Sequence, residues 1–341
     1  MEKAIQIKEL THRFGQKTVL DRINLDISQG EIFGLLGPSG AGKTTLINLL
    51  TGQLRATSGA CFLCGVDSVG MTGGDYKKVG IMMDNFGLYE RMSCYDNLKF
   101  YQMLDGHGKA GINEVLDGVG LLEAKKTPVM NLSKGMKNRL AFARAILRSP
   151  KILFLDEPTS GLDPMTMEAI HRMILDEKQK GTTIFLTTHN MYEAEKLCDH
   201  IALLNEGRIV EYGATQEICL RYNHQKQYRI HLKNGQDVVL AHEKTSGEVI
   251  KNYIECDELE TIHSTEPNLE TIFMELTGEN IVVYTNRLRI EHAKKMLVQT
   301  DKTILEIASE TGYNNDQSFN RNFKKFEGLT PGEYRKKHIN L

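Results

Sequence analysis

The stretch GPSGAGKTT, residues 37 to 45, sets the architecture of the first part of the chain. It follows an apolar run, EIFGLLG, and precedes TLINLLTG, whose apolar residues recur at helical spacing. Between a strand and a helix, such glycines let backbone N–H groups point at a phosphate, and the helix N-terminus adds a favourable dipole. The motif GxxxxGK[ST] therefore predicts a phosphate-binding loop in an α/β fold.

The loop predicts a specific set of nucleotide contacts. Lys43 is expected to reach the β- and γ-phosphates of ATP, and the Thr44 hydroxyl is expected to bind Mg²⁺. The other residues of the loop that we assign to ATP binding are Gly37, Ser39, Gly40, Gly42 and Thr45.

Two later apolar runs end in side chains that suit phosphate chemistry. KILFLDEP, residues 151–158, reads as a buried strand that ends in Asp156 and Glu157. We expect Asp156 to hold Mg²⁺ and Glu157 to act as general base or to position the attacking water. TIFLTTH reads as another strand, and its terminal His189 is a candidate γ-phosphate contact rather than an ordinary polar surface residue.

The order of these motifs resembles that of the ATP-binding cassette (ABC) ATPases over residues 1–280. Phe14 stands where the family stacks adenine on an aromatic ring, LSKGM at 132–136 matches the family signature, and SGLD at 160–163 matches its D-loop. The resemblance implies a P-loop NTPase domain at 1–220, with a helical subdomain at about 85–150. It also implies an active ATPase, with catalytic Glu157 and His189.

In this family two protomers face each other across ATP. The resemblance therefore implies that Ser133, Gly135 and Asp163 serve a nucleotide shared with a second cassette, in a homodimer or with a related partner. It further implies ATP and Mg²⁺ as cofactors, and a separate integral membrane permease. The permease would hold the chain at the inner face of the cell membrane.

One position departs from the family pattern. The family places a glutamine where the loop enters the helical subdomain, and this chain has Asp84 there. A carboxylate can ligate Mg²⁺, so Asp84 is a candidate metal ligand. The alternative interpretation is a surface helix-cap residue.

The middle segment, 221–280, resembles the small accessory domain of cassettes that serve multidrug, antibiotic and antimicrobial-peptide exporters. QYRIHLKNGQDVVLAH predicts two strands joined at Asn234-Gly235, because that dipeptide favours a hairpin turn. Residues 266–278 predict a helix with Leu269, Ile272, Phe273 and Leu276 along one apolar face.

The C-terminal segment predicts a pair of helices. Thr303 with Glu306 forms the sequence pattern of a capping box, and Gly312 can end that helix. A second helix is expected from about residue 316 to 326, with Phe319, Phe323 and Phe326 toward the core. Its opposite face suits base edges and phosphates in a DNA major groove, and it carries Gln317, Asn320, Arg321 and Lys324. A solvated helix face is the other interpretation.

Residues 286–297, the two helices and GLTPGEYRK resemble the arabinose-regulator (AraC) type of DNA-binding domain. That family normally has two helix-turn-helix units, and residues 281–341 correspond to a linker helix and one unit. The resemblance implies an all-α half-domain with double-stranded DNA as a possible partner. The alternative to an exporter subunit is a transcription regulator that uses the cassette as an ATP-dependent dimerisation switch. For the tail itself there are two hypotheses: it reports the ATP state to DNA, or it is an inherited fusion that folds but reads nothing.

Composition supports these assignments without deciding them. Residues 281–341 carry 11 Lys and Arg against 7 Asp and Glu, while the remainder carries 31 against 37. A basic C-terminus is where a nucleic-acid partner is expected. The chain has no apolar run long enough to span a membrane, and Cys61 and Cys64 lie in an apolar stretch that reads as a strand rather than a zinc motif. The low cysteine content suits a reducing cytoplasm.

Overall fold

The computed structural model describes residues 2–83, 87–104, 111–223, 227–265, 267–278, 281–300, 302–313 and 315–339. The strands are β1 (Lys3–Phe14), β2 (Lys17–Ser28), β3 (Ile32–Leu36), β4 (Ser58–Leu63), β5 (Val66–Asp67), β6 (Val79–Met82), β7 (Ile152–Asp156), β8 (Thr183–Thr188), β9 (His200–Asn205), β10 (Arg208–Ala214), β11 (Gln227–Leu232), β12 (Asp237–Ala241) and β13 (Leu259–Thr265). The helices are α1 (Lys43–Leu50), α2 (Gly73–Tyr76), α3 (Cys94–Leu104), α4 (Ile112–Gly118), α5 (Lys134–Ile146), α6 (Pro164–Gln179), α7 (Met191–Leu197), α8 (Thr215–Arg221), α9 (Lys244–Glu255), α10 (Leu269–Thr277), α11 (Ile281–Gln299), α12 (Ile304–Glu310), α13 (Asp316–Glu327) and α14 (Pro331–Ile339).

A six-stranded sheet in the order β10-β9-β3-β8-β7-β6 forms the centre of the first domain. Neighbouring strands from β9 to β6 run parallel, and β10 joins the edge antiparallel to β9. Every residue of β3, β7 and β8 is buried, as expected for parallel strands covered on both faces. The predicted α/β P-loop architecture is confirmed.

Each central strand contributes to two hydrophobic cores, because successive side chains of a strand point to opposite faces. In β7, Ile152 and Phe154 pack on the side of α1 and of the antiparallel sheet β2-β1-β4-β5. Leu153 and Leu155 pack on the side of the helices that follow β6. The strand ends are thereby fixed from both sides, and so are the side chains that follow them.

A small three-stranded sheet, β12-β11-β13, follows the central domain. The predicted hairpin is confirmed: β11 and β12 pair antiparallel, and Gly235 has a φ of 84°, which glycine adopts without strain. Strand β13, which we did not predict, pairs with the other edge of β11.

Helix α10 does not pack with that sheet alone but returns to the central domain. Leu269, Ile272 and Phe273 are fully buried in the same core as β7 residue Leu155. The Leu269 backbone N–H also donates to Glu195 Oε1 of α7, at 2.7 Å. The predicted apolar face therefore stabilises the cassette itself.

The C-terminal helices α11 to α14 surround a separate core. Phe319 and Phe323 of α13 are fully buried in it, together with Ile290, Leu297 and Ile307. The capping box of Thr303 and Glu306 is present, and α13 spans the predicted helix. The chain leaves α12 through Gly312, whose φ is 83°.

The packing of α10 predicts that Phe273→Ala will destabilise the cassette by about 3–5 kcal/mol, the usual cost of emptying a buried phenylalanine site. The measurement is denaturant unfolding of the full chain, followed by circular dichroism. Met274→Ala is the matched control, because Met274 is the next residue and is 46% exposed. Equal effects of the two changes would show that α10 does not belong to the cassette core.

Candidate functional site

A cavity of about 720 Å³ opens above the phosphate-binding loop, and we call it the phosphate cavity. Its lining includes loop residues Ser39 to Thr45, the strand-end carboxylates Asp156 and Glu157, and Ser160. Parallel strands β3 and β7 end at the same edge of the sheet, which brings the loop and the two carboxylates together.

Two glycines allow the loop to curl closely against neighbouring strands. A Cβ atom on Gly37 would lie 2.3 Å from the carbonyl oxygen of Leu204. Gly42 has a φ of 112°, and a Cβ atom there would lie 2.8 Å from Leu20 Cδ2. Any larger residue would push the loop away from β2 and β9, and the backbone N–H groups would no longer point at the phosphate site.

Lys43 is buried at the floor of the cavity. Its ammonium donates to the carbonyl oxygens of Gly37 at 2.7 Å and Pro38 at 3.1 Å. Its Nζ atom also lies 3.3 Å from Glu157 Oε1. Burial lowers the pKa of Lys43, and the Glu157 and Asp156 carboxylates oppose that shift. The lysine is therefore held in place by groups that a bound phosphate can replace.

Thr44 and Asp156 meet at the N-terminus of α1. The Thr44 hydroxyl donates to Asp156 Oδ2 at 2.7 Å, and the Thr187 hydroxyl donates to Asp156 Oδ1. A hydroxyl and a carboxylate are oxygen donors that suit Mg²⁺, which usually takes one or two protein ligands and completes its shell with phosphates and water. Within the described parts of the chain, no cluster of three His, Cys, Asp or Glu forms a dedicated metal cage. Asp84 lies outside the described residues.

Glu157 combines a strained backbone with a fixed ionisation state. Its φ of 48° lies in the left-handed region, which is costly for a residue with a side chain. Its backbone N–H donates to the Thr187 carbonyl at 3.0 Å, which stabilises that conformation. Burial alone would raise the pKa of Glu157, but contacts with His189 and Lys43 outweigh it and hold the pKa at about 2.

His189 follows β8 and completes this arrangement. Its Nδ1 atom lies 2.9 Å from Glu157 Oε2, so the glutamate sits between an imidazole and an ammonium. Three residues that were predicted from three separate strand ends are thus in contact. A carboxylate beside a phosphate-binding loop can orient a water molecule and accept its proton. Glu157 would become a stronger base once a bound phosphate replaced its contact with Lys43, because that contact lowers its pKa.

Other residues assigned from the sequence lie away from the lining of the cavity. Phe14 is 52% exposed at the end of β1, with its ring edge-on to His12. Ser133 caps α5 by accepting from the Met136 N–H, and a Cβ atom on Gly135 would touch Thr166 of α6. Asp163 caps α6, accepting from the Thr166 N–H at 3.0 Å.

The face proposed for DNA contact lies on α13. Gln317, Arg321 and Lys324 are exposed, and Asn320 is half-buried. Asn315 caps the helix by accepting from the Ser318 N–H at 2.7 Å. The buried phenylalanines fix the rotation of α13, so these polar side chains point away from the core.

Sequence reasoning missed one wall of the phosphate cavity. Helix α11 contributes Arg289, His292 and Lys295, and the residues that follow α12 contribute Thr311 and Gly312. The spacing of three residues between the basic side chains of α11 is visible in the sequence. It carries no information about which distant surface this helix face meets.

Two predicted absences concern the described residues. Cys61 lies in β4, Cys64 directly follows that strand, and no metal cluster includes either of them. No helix in the described ranges is both long and apolar enough to cross a bilayer.

Comparison with known proteins assigns families to both ends of the chain. Residues 20–160 match the ABC transporter family, and residues 260–337 match a helix-turn-helix domain family. The fluoroquinolones export ATP-binding protein of Mycobacterium tuberculosis is 35% identical over 82% of this chain and 95% of its own length. The lantibiotic transport ATP-binding protein SrtF of Streptococcus pyogenes is 36% identical over 65% of this chain and 96% of its own length.

Solved structures give the same assignment for the cassette. An ATP-binding subunit of an ABC transporter aligns with a TM-score of 0.59 at 26% identity, over 64% of this chain and 93% of that structure. The cbiO1 protein of Clostridium perfringens, part of the ABC transporter complex cbiONQ, aligns with a TM-score of 0.58 at 28% identity. This alignment covers 64% of this chain and 91% of that structure.

The position of Glu157 predicts that Glu157→Gln will lower ATP hydrolysis by about 10²–10⁴-fold, the range for loss of a general base. Nucleotide affinity should stay within a few-fold, because Lys43 and the loop are unchanged. Phosphate release and ATP binding, measured on the same preparations, check both statements. Glu206→Gln is the matched control, since Glu206 lines the same cavity. An equal loss of activity in the control would contradict a specific role for Glu157.

Proposed function

This chain belongs to the family of ABC transporter ATP-binding proteins, and we propose that it is the ATP-hydrolysing subunit of an exporter that works with separate membrane subunits. The observation that carries the proposal is the contact of Glu157 with both Lys43 and His189, beside the phosphate-binding loop. The enzyme is an ATPase, and its transport role is the proposed part.

The geometry suggests how nucleotide binding prepares the site. The phosphates of ATP would replace the Gly37 carbonyl and the Glu157 carboxylate as partners of the Lys43 ammonium. Glu157, released from the lysine but still ionised, would then be available to orient a water molecule and accept its proton. Bound Mg²⁺, held through Thr44 and Asp156, would neutralise phosphate charge.

We further propose that a second cassette completes the site. Ser133 and Gly135 lie at the start of α5, away from the lining of their own phosphate cavity. A signature motif that serves a γ-phosphate would therefore have to come from another copy of the chain or from a related cassette. ATP would hold the two together, and hydrolysis would let them separate.

The exporter assignment is supported by relatives whose names refer to the export of fluoroquinolones and the transport of a lantibiotic. The cargo of this chain belongs to the same broad class, antimicrobial compounds or peptides. Contacts to that cargo would be made by the membrane subunits, with this chain attached at their cytoplasmic face.

A second function is favoured by the exposed polar face of α13. In the alternative we propose, the cassette acts as an ATP-dependent dimerisation switch for transcription control. One chain offers one recognition helix, and about three phosphate contacts would give a salt slope of only about −3. A dimer would present two such helices and bind DNA more tightly.

The exporter role predicts that deletion of the gene will increase the sensitivity of the source cells to an exported antimicrobial. The wild-type chain should restore resistance and Glu157→Gln should not, because transport needs hydrolysis. Growth inhibition by fluoroquinolones and by lantibiotics gives the readout. If Glu157→Gln restored full resistance, hydrolysis would not be the basis of protection.

The regulatory role predicts tighter DNA binding in the ATP-bound state. The test is fluorescence anisotropy of labelled DNA from the chain's own promoter, with the Glu157→Gln protein, with and without Mg-ATP and at two salt concentrations. Arg321→Ala should weaken binding by about tenfold, since one charge-assisted contact contributes about 1.4 kcal/mol or more. Weak DNA binding that depends neither on ATP nor on DNA sequence would contradict the regulatory role, and the transporter role would be the only one supported.

A further inference from the structure

The phosphate cavity has two walls that come from different domains. The first is the phosphate-binding loop of the cassette. The second is formed by α11 and the end of α12, in the helix-turn-helix domain. Arg289, His292 and Lys295 of α11 lie three residues apart, so they share one face of the helix, and all three line the cavity.

The acidic side chains of the second wall have partners within their own domain. Glu291 lies 2.9 Å from the Lys294 ammonium, and Glu310 lies 2.7 Å from Lys302. Lys294 also lies 3.0 Å from Glu327, so it serves two carboxylates, whereas Lys302 pairs with Glu310. Neither Glu291 nor Glu310 forms an ion pair with Arg289 or Lys295.

The basic side chains of that wall, Arg289 and Lys295, have no such ion-pair partners among the described residues. The Arg289 guanidinium lies over the Tyr313 ring, 5.5 Å from its centroid, and against Gly312. Lys295 is exposed. Within the described parts of the chain, no carboxylate forms an ion pair with Arg289 or Lys295. Arg289 and Lys295 therefore offer two cationic groups to a ligand in the cavity.

The floor of the opposite wall holds a further cationic side chain, which Glu157 partly compensates. Lys43 is buried there, and the charge of Arg289 is among the causes that lower the pKa of Lys43. Among the described residues, no ion pair or hydrogen bond joins the two walls. The cassette wall carries Lys17 and Lys43 but also Asp156, Glu157 and Glu206. A polyphosphate bound at the loop would add negative charge opposite Arg289 and Lys295, and that charge would attract both side chains.

We propose that the helix-turn-helix domain forms part of the nucleotide site, with Arg289 and Lys295 contacting in cis the phosphates held by the cassette's loop. The proposal rests on the proposed function, because it requires that the cassette bind ATP. Since Gln317, Arg321 and Lys324 of α13 stay exposed in this arrangement, the DNA-facing side remains accessible. Nucleotide binding and the position of the DNA-binding domain are then linked, and the linkage acts equally in both directions.

The test measures the affinity of the full chain for Mg-ATP by isothermal titration calorimetry, in the Glu157→Gln background so that ATP is not consumed. Lys295→Ala and Arg289→Ala should each weaken binding by about tenfold, the usual effect of losing one charge-assisted contact. Lys325→Ala is the matched control. It removes the same charge from an exposed position of the same domain that does not line the cavity, and it should leave affinity unchanged.

Further variants separate a binding role from a packing role. Arg289 packs on Tyr313, so Arg289→Ala also removes a structural contact, whereas Arg289→Lys keeps the charge and should retain most of the affinity. Lys295→Glu should weaken binding more than Lys295→Ala, since it places a negative charge near the phosphates. Inorganic tripolyphosphate, used as a competitor, should lose affinity in these variants by the same factor as ATP. A loss confined to ATP would mean that the contacts are not to phosphate and would overturn the proposal.

The proposal and the proposed function fail in different ways. If the parent protein does not bind ATP, or if Lys43→Ala binds ATP as well as the parent, the proposed function itself is wrong. If the parent binds ATP and the Arg289 and Lys295 variants bind it equally well, only this inference is wrong. Tighter ATP binding in the variants would show that Arg289 and Lys295 hinder nucleotide binding. A loss of DNA affinity with unchanged ATP affinity would show that these two residues contact DNA instead. Either result would overturn the inference.

Discussion

The burial of the Lys43 ammonium is the constraint on which the site depends. A buried charge needs compensation, and Lys43 obtains it from the Gly37 and Pro38 carbonyls and from Glu157. Those groups are correctly placed only because β3 and β7 are parallel strands of one sheet, held from both sides by separate cores. The tight curl of the loop, the strained backbone of Glu157 and the contact with His189 are parts of one local arrangement. The contacts of Glu157 with Lys43 and His189 also keep its carboxylate ionised before any nucleotide binds.

Much of this site was predictable because it is encoded locally. The phosphate loop, the carboxylates at the end of β7 and the capping box of α12 each depend on residues close together in sequence. The buried face of α13 followed from helical spacing alone. Contacts between distant segments were not predictable in this way. Burial of α10 in the cassette core, pairing of β13 with β11 and the approach of α11 to the phosphate loop depend on which surfaces meet. The residue pattern of a single helix does not specify which other surface the helix packs against.

The cassette and the helix-turn-helix domain both line the phosphate cavity. Each has its own hydrophobic core, and among the described residues no hydrogen bond or ion pair connects the walls of the phosphate cavity. An arrangement of this kind is sensitive to whatever fills the space. If nucleotide and DNA bind as proposed, α13 belongs to a domain that also lines the nucleotide site, and the chain has a physical route from phosphate chemistry to DNA.

Helix α10, whose first two turns are buried in the cassette, ends at Thr277, and α11 begins at Ile281. Only three residues separate them, so the ends of the two helices can lie at most roughly 14 Å apart. So short a tether keeps the basic face of α11 at an effective concentration in the millimolar range near the phosphate loop. Contacts too weak to hold two separate proteins together are then sufficient to decide which position the domain occupies. The same tether means that DNA held by α13 must lie close to the cassette, and through it close to any membrane to which the cassette is attached.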